Sequence, residues 1–240
     1  LRVLDLSCLN ITDLPNAIGG LLHLRWLDLS HNEMKMLPRS FTKLINLQFL
    51  DLDGCYELEE LPEDFNELVN LRTLFLSYPG INDETSLGED YRGGLRYMPL
   101  GMNKMAHLMR LNKFILGHRT SSTKQEVRLE DLRVPTNLRG SLEIYVRQNY
   151  KHSKEYGGGG YLCNTEYLKS ITIEWRCGEY EQERMGRDEV LLEDLQPHGN
   201  LKELEIRGYC GLRIPKWARE DGVAASLPNL VKIVLEDCDG

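Results

Sequence analysis

The stretch "LRWLDLSHNEMKMLPRSFTKLINL" at residues 24–47 has a near copy on each side. Residues 1–24 read "LRVLDLSCLNITDLPNAIGGLLHL", and residues 47–71 read "LQFLDLDGCYELEELPEDFNELVNL". In each copy, leucines stand at the first, fourth and sixth positions. The spacing of two between the last pair places both side chains on one face of a β-strand. The sequence therefore predicts a tandem array with one short strand in each unit.

The units must stack, because one unit is too small to bury its own leucines. Four units open at Leu1, Leu24, Leu47 and Leu71, and in the first three a Leu-Pro pair follows the strand. Proline lacks the N–H that a second strand would need. We therefore predict an α/β fold: a curved leucine-rich-repeat solenoid with a parallel sheet on its concave face and irregular or short helical segments outside.

After residue 77 the pattern becomes irregular without stopping. We predict one domain over residues 1–240, with regular repeats at 1–76 and irregular repeats at 77–240. Further strand positions give about nine repeats and lie at residues 108–114, 139–146, 168–175, 201–208 and 230–238. Insertions are expected near residues 77–94, 115–137 and 147–166, the second with a helix near residues 124–132. The chain opens and closes on a repeat, so we expect it to be an excerpt of a longer chain.

Composition and motifs exclude several classes of function. The net charge is −8 and the pI is about 5.4, which disfavours nucleic acid as a partner because such proteins usually carry a basic face. Apolar runs are too short for a membrane span. The six cysteines form no C-x-x-C pair and the six histidines are scattered, so we expect no metal site and a reducing, cytoplasmic location. No catalytic motif is present, and we expect no enzyme activity.

The irregular half resembles one family. The segments are "LNKFILG" (111–117), "LEDLRVPTNLRGSLEI" (129–144), "LEDLQPHGNLKELEIRGYCGLRIPKW" (192–217) and "LPNLVKIVLEDC" (227–238). Together they resemble the C-terminal repeat region of plant intracellular nucleotide-binding, leucine-rich-repeat disease-resistance proteins of the coiled-coil class. No phosphate-binding loop is present in this chain, so it is expected to hold no cofactor. ATP or ADP is expected only on a nucleotide-binding domain outside it.

The resemblance implies a protein-interaction and autoregulatory domain. Its partners would be a pathogen effector, a host protein that an effector modifies, and the receptor's own nucleotide-binding domain. Two alternatives remain open: a cytoplasmic scaffold or adaptor, and an extracellular ligand-binding ectodomain. Extracellular plant repeats favour Gly-x-Ile-Pro where this chain reads "TDLP", "KMLP" and "EELP". A phosphate loop, a signal peptide or neither in the full-length sequence would separate the three.

Outward-facing strand positions supply the candidate partner-binding residues, since equivalent residues of adjacent parallel strands stack about 4.8 Å apart. A basic row follows each opening residue, a carboxylate row lies three positions later, and aromatic residues interleave with both. One interpretation is a ladder of cross-strand ion pairs, and the other is a concave contact surface with aromatic and arginine anchors. The predicted partner-binding residues are Arg2, Arg25, Trp26, Asp28, Phe49, Asp51, Arg72, Phe75, Lys169, Thr172, Glu174, Lys202, Glu205 and Arg207.

Overall fold

The computed structural model describes residues 1–76, 94–117, 129, 137–147, 150, 160–175 and 182–238. Strands β1 to β5 are Val3–Asp5, Trp26–Asp28, Phe49–Leu52, Thr73–Leu76 and Arg110–Leu111. Strands β6 to β10 are Lys113–Leu116, Gly140–Val146, Leu168–Trp175, Glu203–Arg207 and Lys232–Glu236. Two α-helices are described, α1 at Gln182–Asp194 and α2 at Glu220–Ser226. Short 3-10 helices lie between strands at Asn16–Gly20, Arg39–Lys43, Phe65–Glu67, Met102–Lys104 and Lys216–Ala218.

The strands form two five-stranded parallel sheets. The first sheet has the order β1-β2-β3-β4-β5, and the second has the order β6-β7-β8-β9-β10. Each strand within a sheet therefore pairs with the strand of the next repeat, as stacked units require. The pairing aligns equivalent residues, such as Leu27 with Leu50 and Leu50 with Leu74. The predicted leucine-rich-repeat solenoid is confirmed.

The core lies behind the strands and is filled from both sides. Leu27 and Leu50 have no exposed surface, and neither do Phe41 and Phe65, which come from the 3-10 helices on the other side. A fully buried side chain of this size contributes about 1.5–3 kcal/mol. The proline-led segments therefore return apolar side chains to the core without forming a second sheet. Their 3-10 helices begin directly after Pro15 and Pro38, since proline fixes the extended entry to the turn.

The strand predicted at residues 108–114 is divided into β5 and β6. Between them, the Asn112 side chain accepts a hydrogen bond from the Leu76 N–H at 2.9 Å and donates one to the Leu76 carbonyl at 2.8 Å. An amide side chain thus occupies the place of a backbone partner. The described chain therefore has ten strands where the sequence predicted nine.

Helix α1 was not predicted. Its buried side chains Leu191 and Leu192, with Leu195 just after its last residue, follow the spacing typical of one helix face. The helix expected near residues 124–132 and most of the three expected insertions lie outside the described residues. The division of the chain into one domain with a regular and an irregular part stays a prediction.

Candidate functional site

Three aromatic side chains come together on the outward face of the first sheet. The rings of Trp26 and Phe49 are stacked, with centroids 5.0 Å apart and planes 9° apart. Phe75 meets Phe49 edge to face at 5.9 Å. All three are partly exposed, although burial of aromatic surface is strongly favourable. We call Trp26, Phe49 and Phe75 the aromatic stack. The sequence predicted each residue but not their mutual contact.

The carboxylate row of the first sheet lies beside the aromatic stack. Asp5 pairs in register with Asp28 and Asp28 with Asp51, while Asp51 pairs with Phe75. The Asp28 and Asp51 carboxylates each accept a 2.8 Å hydrogen bond from the N–H two residues later. Burial raises the pKa of Asp51, and the charges of Asp28 and Asp53 raise it further. The row is therefore negatively charged and held in place by its own turns.

The predicted ladder of cross-strand ion pairs is absent from the described part of the first sheet. Arg2, Arg25 and Arg72 are exposed, and none of them pairs with Asp5, Asp28 or Asp51. The basic row lies at the start of the strands and the carboxylate row at their end. Three strand residues separate the rows by about 10 Å, which explains why the charges do not meet. This part of the prediction was wrong.

In the second sheet an ion-pair ladder does form, but it is built on Arg207 rather than on the predicted basic row of Lys169 and Lys202. The Arg207 guanidinium lies 2.7 Å from Glu205, 3.2 Å from Glu236 and 3.7 Å from Glu174. A hydrogen bond to Glu205 raises the pKa of Arg207, and the three negative charges support this shift. The Thr172 hydroxyl donates to Glu205 at 3.4 Å. The predicted residues Lys169 and Lys202 are exposed at the start of their strands.

Between these two groups several outward side chains are buried. Lys113 is 2% exposed and pairs with Glu143 at 3.5 Å. Burial lowers the pKa of Lys113, and Glu143 opposes that shift. Ile115 and Tyr145 occupy outward positions in register and are also buried. The candidate partner-binding residues therefore lie in a first-sheet group and a second-sheet group, with these buried side chains between them.

A turn ladder at the end of the strands holds the outward rows in place. The buried Asn32 side chain donates to the carbonyls of Leu6 and Leu29 at 2.8 Å and accepts from the N–H groups of Leu9 and Ile11. In the equivalent position, Cys55 donates to Leu29 at 3.1 Å and Cys238 to Ile206 at 3.6 Å. Both cysteines therefore occupy the turn position that Asn32 holds in its own repeat.

Sequence reasoning missed two further repeat features. In five repeats, the residue directly before the Asn32 position has a positive φ. These residues are Cys8, His31, Gly54, Gly208 and Asp237. A second ladder uses an asparagine just before the opening leucine to bond a carbonyl of the preceding repeat, and it comprises Asn46, Asn70, Asn137, Asn200 and Asn229. The recurring "NL" dipeptide was the available signal.

In the part of the chain that the structure describes, no cluster of His, Cys, Asp and Glu could hold a metal ion. None of the described helices has the length and apolar character needed to cross a membrane.

The chain is similar to plant disease resistance proteins. It is 33% identical over 133 residues to the putative disease resistance protein RGA1 of Solanum bulbocastanum, covering 55% of this chain and 12% of that protein. It is 32% identical over 104 residues to the disease resistance protein RGA2 of the same species, covering 42% of this chain and 10% of that protein. The chain thus spans about a tenth of the length of these relatives.

The fold also matches a solved structure. An internalin C2 from Listeria monocytogenes superposes with a TM-score of 0.52 at 18% identity, covering 98% of this chain and 80% of that chain. This likeness shows the fold alone. The sequence model of the leucine-rich repeat region family matches residues 1–236. The chain therefore belongs to the leucine-rich repeat region family, and its repeats are similar to those of plant disease resistance proteins.

Proposed function

We propose that this chain is the protein-interaction and autoregulatory region of a plant immune receptor that acts in the cytoplasm. It recognises a pathogen effector, either directly or through a host protein that the effector modifies. In the resting state it contacts the receptor's own nucleotide-binding domain, which holds ATP or ADP, whereas this region holds no cofactor. The similarity to disease resistance proteins and the leucine-rich repeat family match support this function.

The aromatic stack is the observation that carries the proposal. Its three rings lie partly exposed on strands whose opposite face is fixed by buried leucines. Aromatic side chains on rigid elements are typical anchors of protein interfaces. Substituting them leaves the leucine core intact, so partner contact can vary among such proteins without loss of the fold. The stack therefore supplies the contact surface of the proposed receptor region.

The proposal is tested by replacing Trp26 and Phe49 with alanine in the full-length protein. The measurement is the defence response in leaves, both at rest and with an effector that activates the protein. We expect loss of the effector response or loss of resting inhibition, at unchanged protein abundance. The matched control replaces Asp64 and Glu67, which are exposed on the outer side, with Asn and Gln. If the aromatic variant behaved as wild type and the outer variant lost both properties, the proposed contact surface would be wrong.

A further inference from the structure

We propose that the aromatic stack and the carboxylate row bind a basic segment of the partner protein, with Lys or Arg side chains between the rings and the carboxylates of Asp28 and Asp51. This proposal rests on the proposed function, because it names the chemistry of the partner at the same surface. It commits to a protein partner with exposed basic side chains.

The ring arrangement fits a cation. Trp26 and Phe49 stack in parallel and stay partly exposed, while Phe75 extends the surface toward Asp51. A Lys or Arg group within about 6 Å of an aromatic ring centroid is attracted by the negative face of the ring. The parallel strands hold the rings in fixed positions. The surface therefore needs little rearrangement to accept a basic side chain.

Among the described residues, no Lys or Arg forms an ion pair with the carboxylate row of the first sheet, and His31 offsets only a small part of the rise in the Asp51 pKa that burial causes. Asp28 and Asp51 are direct register partners, on strands about 4.8 Å apart. Neither carboxylate has an ion-pair partner among the described residues. Their hydrogen bonds come from Ser30 and Asp53 backbone N–H groups, which do not neutralise the two charges. A cation placed over this pair would relieve their repulsion.

The second sheet shows the same row with a cation beside each of its two carboxylates. Glu205 stands four residues after its opening leucine, as Asp28 does, and it is bound by Arg207 at 2.7 Å. Glu143 lies in the same row and pairs with Lys113 at 3.5 Å. The chain therefore places a cation beside this row in the second sheet but not beside Asp28 and Asp51 in the first. We infer that the partner supplies the missing cation.

The basic row of Arg2, Arg25 and Arg72 would gain less from an acidic partner than the carboxylate row would gain from a basic one. Arg2, Arg25 and Arg72 are exposed, so their guanidinium groups keep their hydration and need no counter-charge. Asp51 is only partly exposed, and its pKa is raised because burial removes water from the carboxylate. Between the two rows, the carboxylate row gains more from a partner of opposite charge.

The test selects a random peptide library, displayed on phage, against the full-length protein. The Asp28→Asn and Asp51→Asn double variant is selected in parallel, and asparagine keeps the oxygen that accepts the turn hydrogen bonds. A control variant with Asp64→Asn and Glu67→Gln removes the same number of charges from the outer side. We expect peptides rich in Lys and Arg that bind wild type and the control alike. Their affinity for the double variant should be at least about tenfold weaker.

Other outcomes overturn the proposal. Selected peptides without basic enrichment, or basic peptides that bind the double variant as tightly as wild type, exclude a basic segment at this surface. Equal losses in the double variant and the control indicate an effect of bulk charge and also overturn it. Peptides that require Trp26 and Phe49 but carry no basic residues leave the proposed function standing. If every selected peptide binds the variant with Trp26→Ala and Phe49→Ala as tightly as it binds wild type, both proposals fail.

Discussion

Both sheets align the buried apolar positions of neighbouring repeats, but their outward surfaces differ. In the first sheet, β1 to β4 have three or four residues, and the outward face carries partly exposed rings together with carboxylates that form no ion pair among the described residues. In the second sheet, β7 and β8 have seven and eight residues. There, Arg207 and Lys113 bind the carboxylates of the outward face.

This difference shows which part of a repeat the fold constrains. Inward positions must match those of both neighbouring repeats, because stacking is the source of the core. Outward positions meet no such requirement. The second sheet uses them for internal ion pairs, whereas the first sheet leaves them open. A surface that the fold does not need is the surface on which partner contact can evolve.

The largest expected effect tests whether both sheets depend on the same core. Leu50→Ala in the first sheet and Leu204→Ala in the second should each lower the free energy of unfolding by about 2–5 kcal/mol, because each leaves a cavity between repeats. Both side chains are at most 1% exposed. Urea denaturation followed by circular dichroism measures this cost. Arg39→Ala, at an exposed position, should be nearly neutral; a similar loss there would contradict the register.

A smaller effect is expected at the turn that follows the strands of the first sheet. Asn32→Ala removes the side chain that bonds two N–H groups and the carbonyls of the same turn. Buried groups left without partners cost about 1–3 kcal/mol each, and partial access of water limits the total to about 2–3 kcal/mol. Cys55→Ala removes a single weak bond and should cost less than half as much. Equal costs in the same denaturation assay would exclude the proposed ladder.

The fold could be predicted from the sequence where its signal is local. The spacing of two between Leu27 and Leu29 predicts a strand from local sequence alone, and stacking follows from the repeat. The break at Asn112 was not predictable, because it depends on a bond to Leu76 in another repeat. Helix α1 was missed although its buried leucines follow helical spacing, because the repeat pattern predicts only the strands on either side of it.

The candidate site was predictable to a smaller extent. Trp26 and Phe49 were assigned to the outward face from alternation, which depends only on neighbouring residues. The pairing of Arg207 with Glu174 depends on the register between repeats of unequal length. The burial of Lys113 depends on the packing around the junction of the two sheets. Neither property is encoded in the spacing within one repeat.

The left-handed turn position gives a third prediction. Gly54 has φ +72°, and an added Cβ would lie against the His31 ring. Gly54→Ala should therefore lower the free energy of unfolding by about 1–2 kcal/mol. Gly20 has open space around its Cα, so Gly20→Ala should be neutral or stabilise by up to about 1 kcal/mol. Thermal denaturation of both variants measures the difference, and destabilisation by Gly20→Ala alone would refute this account.

The smallest expected effects have opposite signs in the two sheets. Asp51→Asn removes a charge that has no internal cation, so it should raise the free energy of unfolding at neutral pH. Glu205→Gln removes a charge that Arg207 binds, so this substitution should lower the free energy of unfolding. Each change should amount to less than about 1 kcal/mol because both sites are partly solvated. Equal signs in urea denaturation would contradict the contrast between the sheets.

The pH dependence of Asp51→Asn identifies the cause of its effect. Because the pKa of Asp51 is raised in the folded chain, protonation of this carboxyl stabilises the fold. That contribution is complete below the unfolded pKa of about 3.9 and is lost as pH rises through the folded pKa. The advantage of Asp51→Asn over wild type should therefore be present at neutral pH and disappear below the unfolded pKa. An advantage that persisted there would come from packing, and the carboxylate row would then have no unmet charge for a basic partner to neutralise.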